Sequence, residues 1–113
     1  MTETITLSQA LERAEQLRPG RCDPEILTAW LEELDGKLAV ELLKTAPPTY
    51  RYPGSCDAEL LVPRPYHNVY ELYLTAMQDL RDRDTERYEN DAALYRQALQ
   101  EWKAYYRRTY LPG

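Results

Sequence analysis

The sequence predicts an all-α protein: a small bundle of about four helices with a long antiparallel C-terminal hairpin and a long Pro-rich loop. Three observations predict it. Apolar residues recur at three-to-four-residue spacing in four separate stretches. Those stretches open or close on helix-capping residues, prolines or glycines. The 20-odd residues between the second and third stretches carry five prolines and no helical period. A chain of 113 residues fits one domain, read here as 1–113.

The first helix is expected over 7–17. Thr6 and Gln9 have the form of a capping box, in which hydroxyl and amide each satisfy a free backbone N–H. Leu7, Ala10, Leu11, Ala14 and Leu17 supply its apolar face, and Pro19-Gly20 must end it. The second helix is expected over 24–44. Asp23 can cap it, Pro24 suits its first position and Glu25 complements its dipole. Its face runs from Ile26 through Trp30, Leu34 and Leu38 to Leu43, with Glu32, Glu33 and Asp35 flanking as a wet carboxylate surface. Gly36 inside it implies a kink or the close approach of another backbone.

Residues 46–64 read as a loop. Prolines at 47, 48, 53, 63 and 65 hold it extended. Leu60-Leu61-Val62 within it is either a short strand or a clamp across the helices. Tyr50-Arg51-Tyr52 has two readings: an exposed arm that could add itself to a neighbour, or a loop ordered against its own helices.

The third helix is expected over 66–81, with a face of Tyr66, Val69, Tyr70, Tyr73, Ala76, Met77 and Leu80. Arg81-Asp82-Arg83-Asp84 is a charged turn whose last residue can cap a fourth helix over 85–108. Tyr88, Ala92, Tyr95, Leu99, Trp102 and Tyr106 then form a heptad-like seam, read as the core of an antiparallel hairpin rather than an intermolecular coiled coil. Residues 109–113 are expected to leave the helix as a C-terminal arm.

Composition bounds the function. There are 19 acidic and 14 basic residues, and neither the stretch up to Pro65 nor the remainder is basic. A dedicated nucleic-acid binder usually shows a positive footprint, so that class is disfavoured. No apolar run reaches the 18–20 or so residues of a membrane helix, and no secretory leader is visible, so an intracellular product is expected. Cys22 and Cys56 are then more readily reduced than paired. Arg21 and the following helix start could lower the Cys22 pKa, but a thiol with no base beside it is more often inert.

Catalytic chemistry finds little to work with. His67 is the only histidine, and a polar first-turn residue is its simplest reading. No HExxH, no Ca-loop pattern and no Gly-rich phosphate loop is present. No enzyme, metal or cofactor is therefore expected. Ten tyrosines, two tryptophans and no phenylalanine point instead to half-buried or partner-facing surface. Tyr105 and Tyr110 fall off the hairpin seam. With Lys103, Arg107 and Arg108 they make a basic, aromatic helix end, no acid following Glu101. Such an end either meets a partner or simply complements the helix dipole. The interface candidates are Tyr50, Arg51, Tyr52, Tyr105, Arg107, Arg108 and Tyr110.

Four stretches together resemble a known family. They are Trp30-Leu31-Glu32-Glu33-Leu34-Asp35-Gly36-Lys37, Glu59-Leu60-Leu61-Val62-Pro63-Arg64-Pro65-Tyr66, Tyr70-Glu71-Leu72-Tyr73-Leu74, and the aromatic run from Tyr88 to Tyr106 ending in Arg108-Thr109-Tyr110-Leu111-Pro112. In combination, over roughly residues 5–112, the chain resembles the small helical head–tail connector (head-completion, DNA-packaging) proteins of tailed bacteriophages and prophages. The resemblance implies a structural protein that forms a ring under the portal, extends the DNA channel and joins head to tail. Its implied partners are further copies of itself, the portal protein, a tail-completion protein and packaged DNA as channel content, with no membrane. Its implied location is the host cytoplasm during assembly and then the virion head–tail interface. The loop at about 46–64 and the end at about 105–113 would make the contacts. A net charge of −5 suits a channel that must let DNA slide, though Arg81, Arg83 and Arg87 make one turn more basic than that role leads one to expect. The alternative is a small helical regulatory protein, an antitoxin- or anti-repressor-like dimer.

Overall fold

A computed structural model describes residues 3–110. It contains four α-helices: α1 (Leu7–Leu17), α2 (Pro24–Leu38), α3 (Asn68–Arg81) and α4 (Thr85–Tyr110), with a π-helical turn at Ala39–Leu43 extending α2. The all-α expectation holds. A single isolated antiparallel bridge, Thr6 to Glu59, is the one β-type pairing among the described residues.

α1 begins where local chemistry says it should. Thr6 and Gln9 form both halves of the capping box. The two amides that the box leaves over are taken by the distant loop: Leu7 N–H donates to the Ala58 carbonyl at 2.9 Å and Ser8 N–H to that of Cys56 at 3.0 Å. Leu60 N–H donates back to Ile5 and Arg64 N–H to Glu3. The Leu60-Leu61-Val62 stretch is thus the clamp, and Cys56 and Ala58 just before it complete the helix start that sequence alone left open.

α2 starts at Pro24, with the Asp23 carbonyl, not its side chain, receiving the Ile26 and Leu27 amides. The regular helix ends at Leu38, short of the expected 44, and widens into the π turn. The wider turn re-aims the last residues. Leu42 enters the core, Leu43 reaches the aromatic end of α4, and Val40 is left in solvent. Lys44 closes the turn in the left-handed region at φ 59°. No other backbone closes on Gly36 among the described residues: a Cβ there would meet only the Pro47 ring, at 3.7 Å, an ordinary contact.

α3 starts two residues later than expected, because Pro63 to Tyr66 forms its own turn, with Tyr66 N–H on the Pro63 carbonyl at 2.9 Å. α3 and α4 form the expected hairpin. Tyr73 stacks on Tyr95 and Tyr66 on Tyr105, each pair of rings 5.1 Å apart, which fixes the antiparallel register. Asp84 caps α4 through Arg87 N–H at 3.2 Å. The seam is on the inner side as read, with Ala92 and Trp102 buried and Ala98 added to it. α1 and α2 pack across α3.

Two apolar assignments are corrected. Leu17 is 44% exposed and Leu80 52% exposed. Each is the last or next-to-last residue of its helix, where the chain turns away and nothing lies above the apolar stripe.

Candidate functional site

The loop is held by a carboxylate that the sequence reading placed in water. Asp35 is fully buried. Its Oδ2 accepts from the Tyr50 hydroxyl at 2.5 Å and from Leu61 N–H at 3.2 Å, and its Oδ1 accepts from the Tyr70 hydroxyl at 2.8 Å. The Tyr70 oxygen in turn accepts from Val62 N–H at 2.7 Å. One side chain on α2 thereby ties α3 to both ends of the loop. Burial pushes the Asp35 carboxyl above the usual range, against the three donors that hold it down. Burial, and then Asp35 itself, push both tyrosine hydroxyls up, so they stay protonated and remain donors.

Tyr50 is therefore not an exposed arm. It is a core residue, its amide also donating to Glu32 at 2.8 Å. The candidate interface role falls away for it, because its hydroxyl and ring are both spent inside the fold. Arg51 and Tyr52 are on the surface, Arg51 facing Glu32 at 3.9 Å.

A second buried carboxylate closes the other side of the bundle. Arg18 caps α1 and donates to Asp79 on α3 at 2.6 Å and to Asp91 on α4 at 3.3 Å. Burial raises the cost of the Asp79 charge, but its partners Asp91 and Arg18 outweigh that and hold it below the usual carboxylate range. Asp91 is pushed up by the neighbouring Asp79.

The aromatic end of α4 holds the remaining candidates. By the hairpin register, α3 reaches only to about Trp102, so the last two turns of α4 overhang it. Trp102, Tyr106 and Tyr110 form a ladder, with ring centroids 5.6 and 5.0 Å apart. Tyr105 does have an internal partner, Tyr66, contrary to expectation. The helix runs on through Thr109 to Tyr110 rather than releasing an arm there, and the rest of the expected arm, 111–113, lies outside the described residues. Arg107 and Arg108 are exposed, and Tyr110 is 52% exposed. Lys103, Arg107 and Arg108 have no ion-pair partner among the described residues.

His67 and Cys22 were weighed for chemistry. His67 makes one side-chain contact, Nε2 to Arg64 Nη1 at 3.5 Å, and burial and Arg64 lower its pKa. Cys22 receives a hydrogen bond from Arg81, not Arg21, which pairs with Asp82. Burial pushes the thiol up despite that cation, contrary to the activated reading. Among the described residues no group of three or more His, Cys, Asp or Glu could hold a metal ion, and no helix is long and apolar enough to cross a membrane. No family model, curated protein or solved structure matches the chain.

The two buried carboxylates and the stacking of Tyr105 were not visible in the sequence. The signal that could have found Asp35 is its spacing: it follows Leu31 and Leu34 at four and one residues, on the inner side of α2.

Proposed function

We propose that this chain is a structural head–tail connector of a tailed bacteriophage or prophage. It acts without catalysis, by associating with further copies of itself, with the portal protein and with a tail-completion protein at the portal vertex. Packaged DNA would be channel content only, and the working sites would be the host cytoplasm during assembly and then the virion joint. The reading begins from the resemblance of the four sequence stretches. The structural observation that carries it is the overhang of α4. A helix end bearing three cations with no ion-pair partner among the described residues, and a half-exposed Tyr110, presents the residue types that dominate protein contacts. A buried polar network meanwhile spends its tyrosines on ordering the loop.

The test is electron microscopy of an induced lysate whose phage lacks this gene. Filled or leaking heads beside separate, intact tails are the expected result. Normal infectious particles would overturn the reading and leave the small regulatory dimer in its place.

A further inference from the structure

The overhang of α4 forms one wall of a groove of about 160 Å³, lined by Leu43, Pro63, Trp102, Tyr105, Tyr106 and Tyr110. Trp102, Tyr106 and Tyr110 step along the helix at four-residue intervals, with Trp102 buried at the base and Tyr106 and Tyr110 more open above it. Aromatic ladders of this kind hold proline rings, which are pre-ordered, apolar and have no N–H to desolvate. Successive residues turn by about 100° around a helix, which sets Lys103 and Arg107 beside one edge of the ladder and Arg108 on the far side of the helix. The chemistry asked of an occupant is a proline pair next to carboxylates.

The chain carries such a segment. Ala46 and Pro47 each precede a proline and are held extended. Pro47 is exposed, and Pro47 and Pro48 share a hollow of about 530 Å³ with Glu32, Glu33 and Arg51. Arg51 is matched by Glu32 at 3.9 Å. Glu33, 55% exposed, has only a loose contact with Lys37 at 3.6 Å. Within one molecule Pro47 lies against Gly36, outside the groove.

We infer that these two surfaces meet between copies of the chain: the aromatic groove of one takes Pro47-Pro48 of another, and Lys103 and Arg107 beside the groove face Glu32 and Glu33. The inference rests on the self-association in the connector reading and names the surfaces that make it. The second copy is the chosen occupant because charge and ring chemistry match on both sides.

Sedimentation at graded concentrations up to millimolar tests it, with three chains: wild type, Lys103→Glu/Arg107→Glu, and Glu33→Arg/Pro48→Ser. The wild type associates. Each variant loses affinity for itself by at least tenfold. An equimolar mixture of the two variants regains a one-to-one pair, because each supplies the surface the other lacks. A monomeric wild type, variants that associate like wild type, or a mixture that stays monomeric would each overturn the inference. Helical circular dichroism confirms folding. Arg107→Ser and Glu33→Gln, single exposed changes, carry the same comparison with a smaller shift. Failure here is separable from failure of the connector reading. A monomeric wild type whose absence still leaves heads and tails unjoined sinks only the docking surfaces. Self-association with particles complete without the chain sinks only the connector.

Discussion

Tyr70 on α3 gives its hydroxyl proton to Asp35 on α2 and takes the Val62 amide proton from the loop, at 2.8 and 2.7 Å. One oxygen is thus both donor and acceptor in a place closed to water. Tyr70→Phe strips a donor from a buried carboxylate and orphans a buried N–H while leaving the ring in place. Leaving a buried group unsatisfied costs about 1–3 kcal/mol, more for a charged one. A loss of about 2–4 kcal/mol is expected from urea unfolding, with the Val62 amide becoming the fastest-gained site in hydrogen exchange.

The Asp35 carboxyl gives a pH dependence of definite sign. Its pKa in the fold lies above the ordinary 3.8, with burial as the leading cause. Between the unfolded and folded values the native state holds more protons than the unfolded one. Stability from this group is therefore fullest below about 3.8 and declines as pH rises through the folded value. Urea midpoints of wild type and Asp35→Asn, taken at steps from pH 3.5 upward, should show wild type losing ground to the variant as pH rises. A difference that grows in favour of wild type would refute the direction.

Arg83 sits at φ 59° just after α3, and its side chain forms no ion pair among the described residues. A left-handed conformation costs a residue with a Cβ about 1–2 kcal/mol, and glycine gives back part of that gain through the freer unfolded chain. Arg83→Gly is expected to raise stability by about 0.5–1 kcal/mol, read as a higher melting temperature.

Leu80 and Leu74 lie on the same helix with opposite burial, 52% and 1% exposed. Leu80→Ser should move stability by less than about 0.5 kcal/mol, as solvent-facing changes do. Leu74→Ala should cost about 2–5 kcal/mol, the range for emptying a core leucine site. Parallel denaturation curves check both.

What the sequence made legible was local. The Thr6 and Asp84 caps and the Pro24 start each rest on residues within about one turn of one another, the Tyr88-to-Tyr106 seam on a repeated three-to-four-residue step, and each stands where expected. Asp35 escapes such a reading because its partners are 15, 26 and 35 residues away, and its spacing behind Leu31 and Leu34 is the one local sign that it faces inward. Tyr50 keeps two readings for the same reason, exposed arm or loop ordered on its own helices, since a tyrosine on a proline-rich loop looks free until its acceptor is known; the structure takes the second. The π turn was equally hidden, because Leu38, Leu42 and Leu43 satisfy the period of an uninterrupted α-helix. At the candidate interface, Arg107 and Arg108 were legible as the last basic residues of a helix. The stacking of Tyr105 on Tyr66 depends on hairpin register across the whole α3–α4 turn.

The amides of Leu7 and Ser8 rest on carbonyls of Ala58 and Cys56, some fifty residues downstream. During synthesis the first helix therefore leaves the ribosome with its opening turn incomplete, and it stays so until the clamp emerges. A contact of such sequence separation closes late and slowly. α1, made before the other three helices, is consequently among the last of the four to be finished, and a nascent chain halted before Cys56 would carry α1 as a frayed amphipathic segment with its apolar stripe open to whatever binds such stripes.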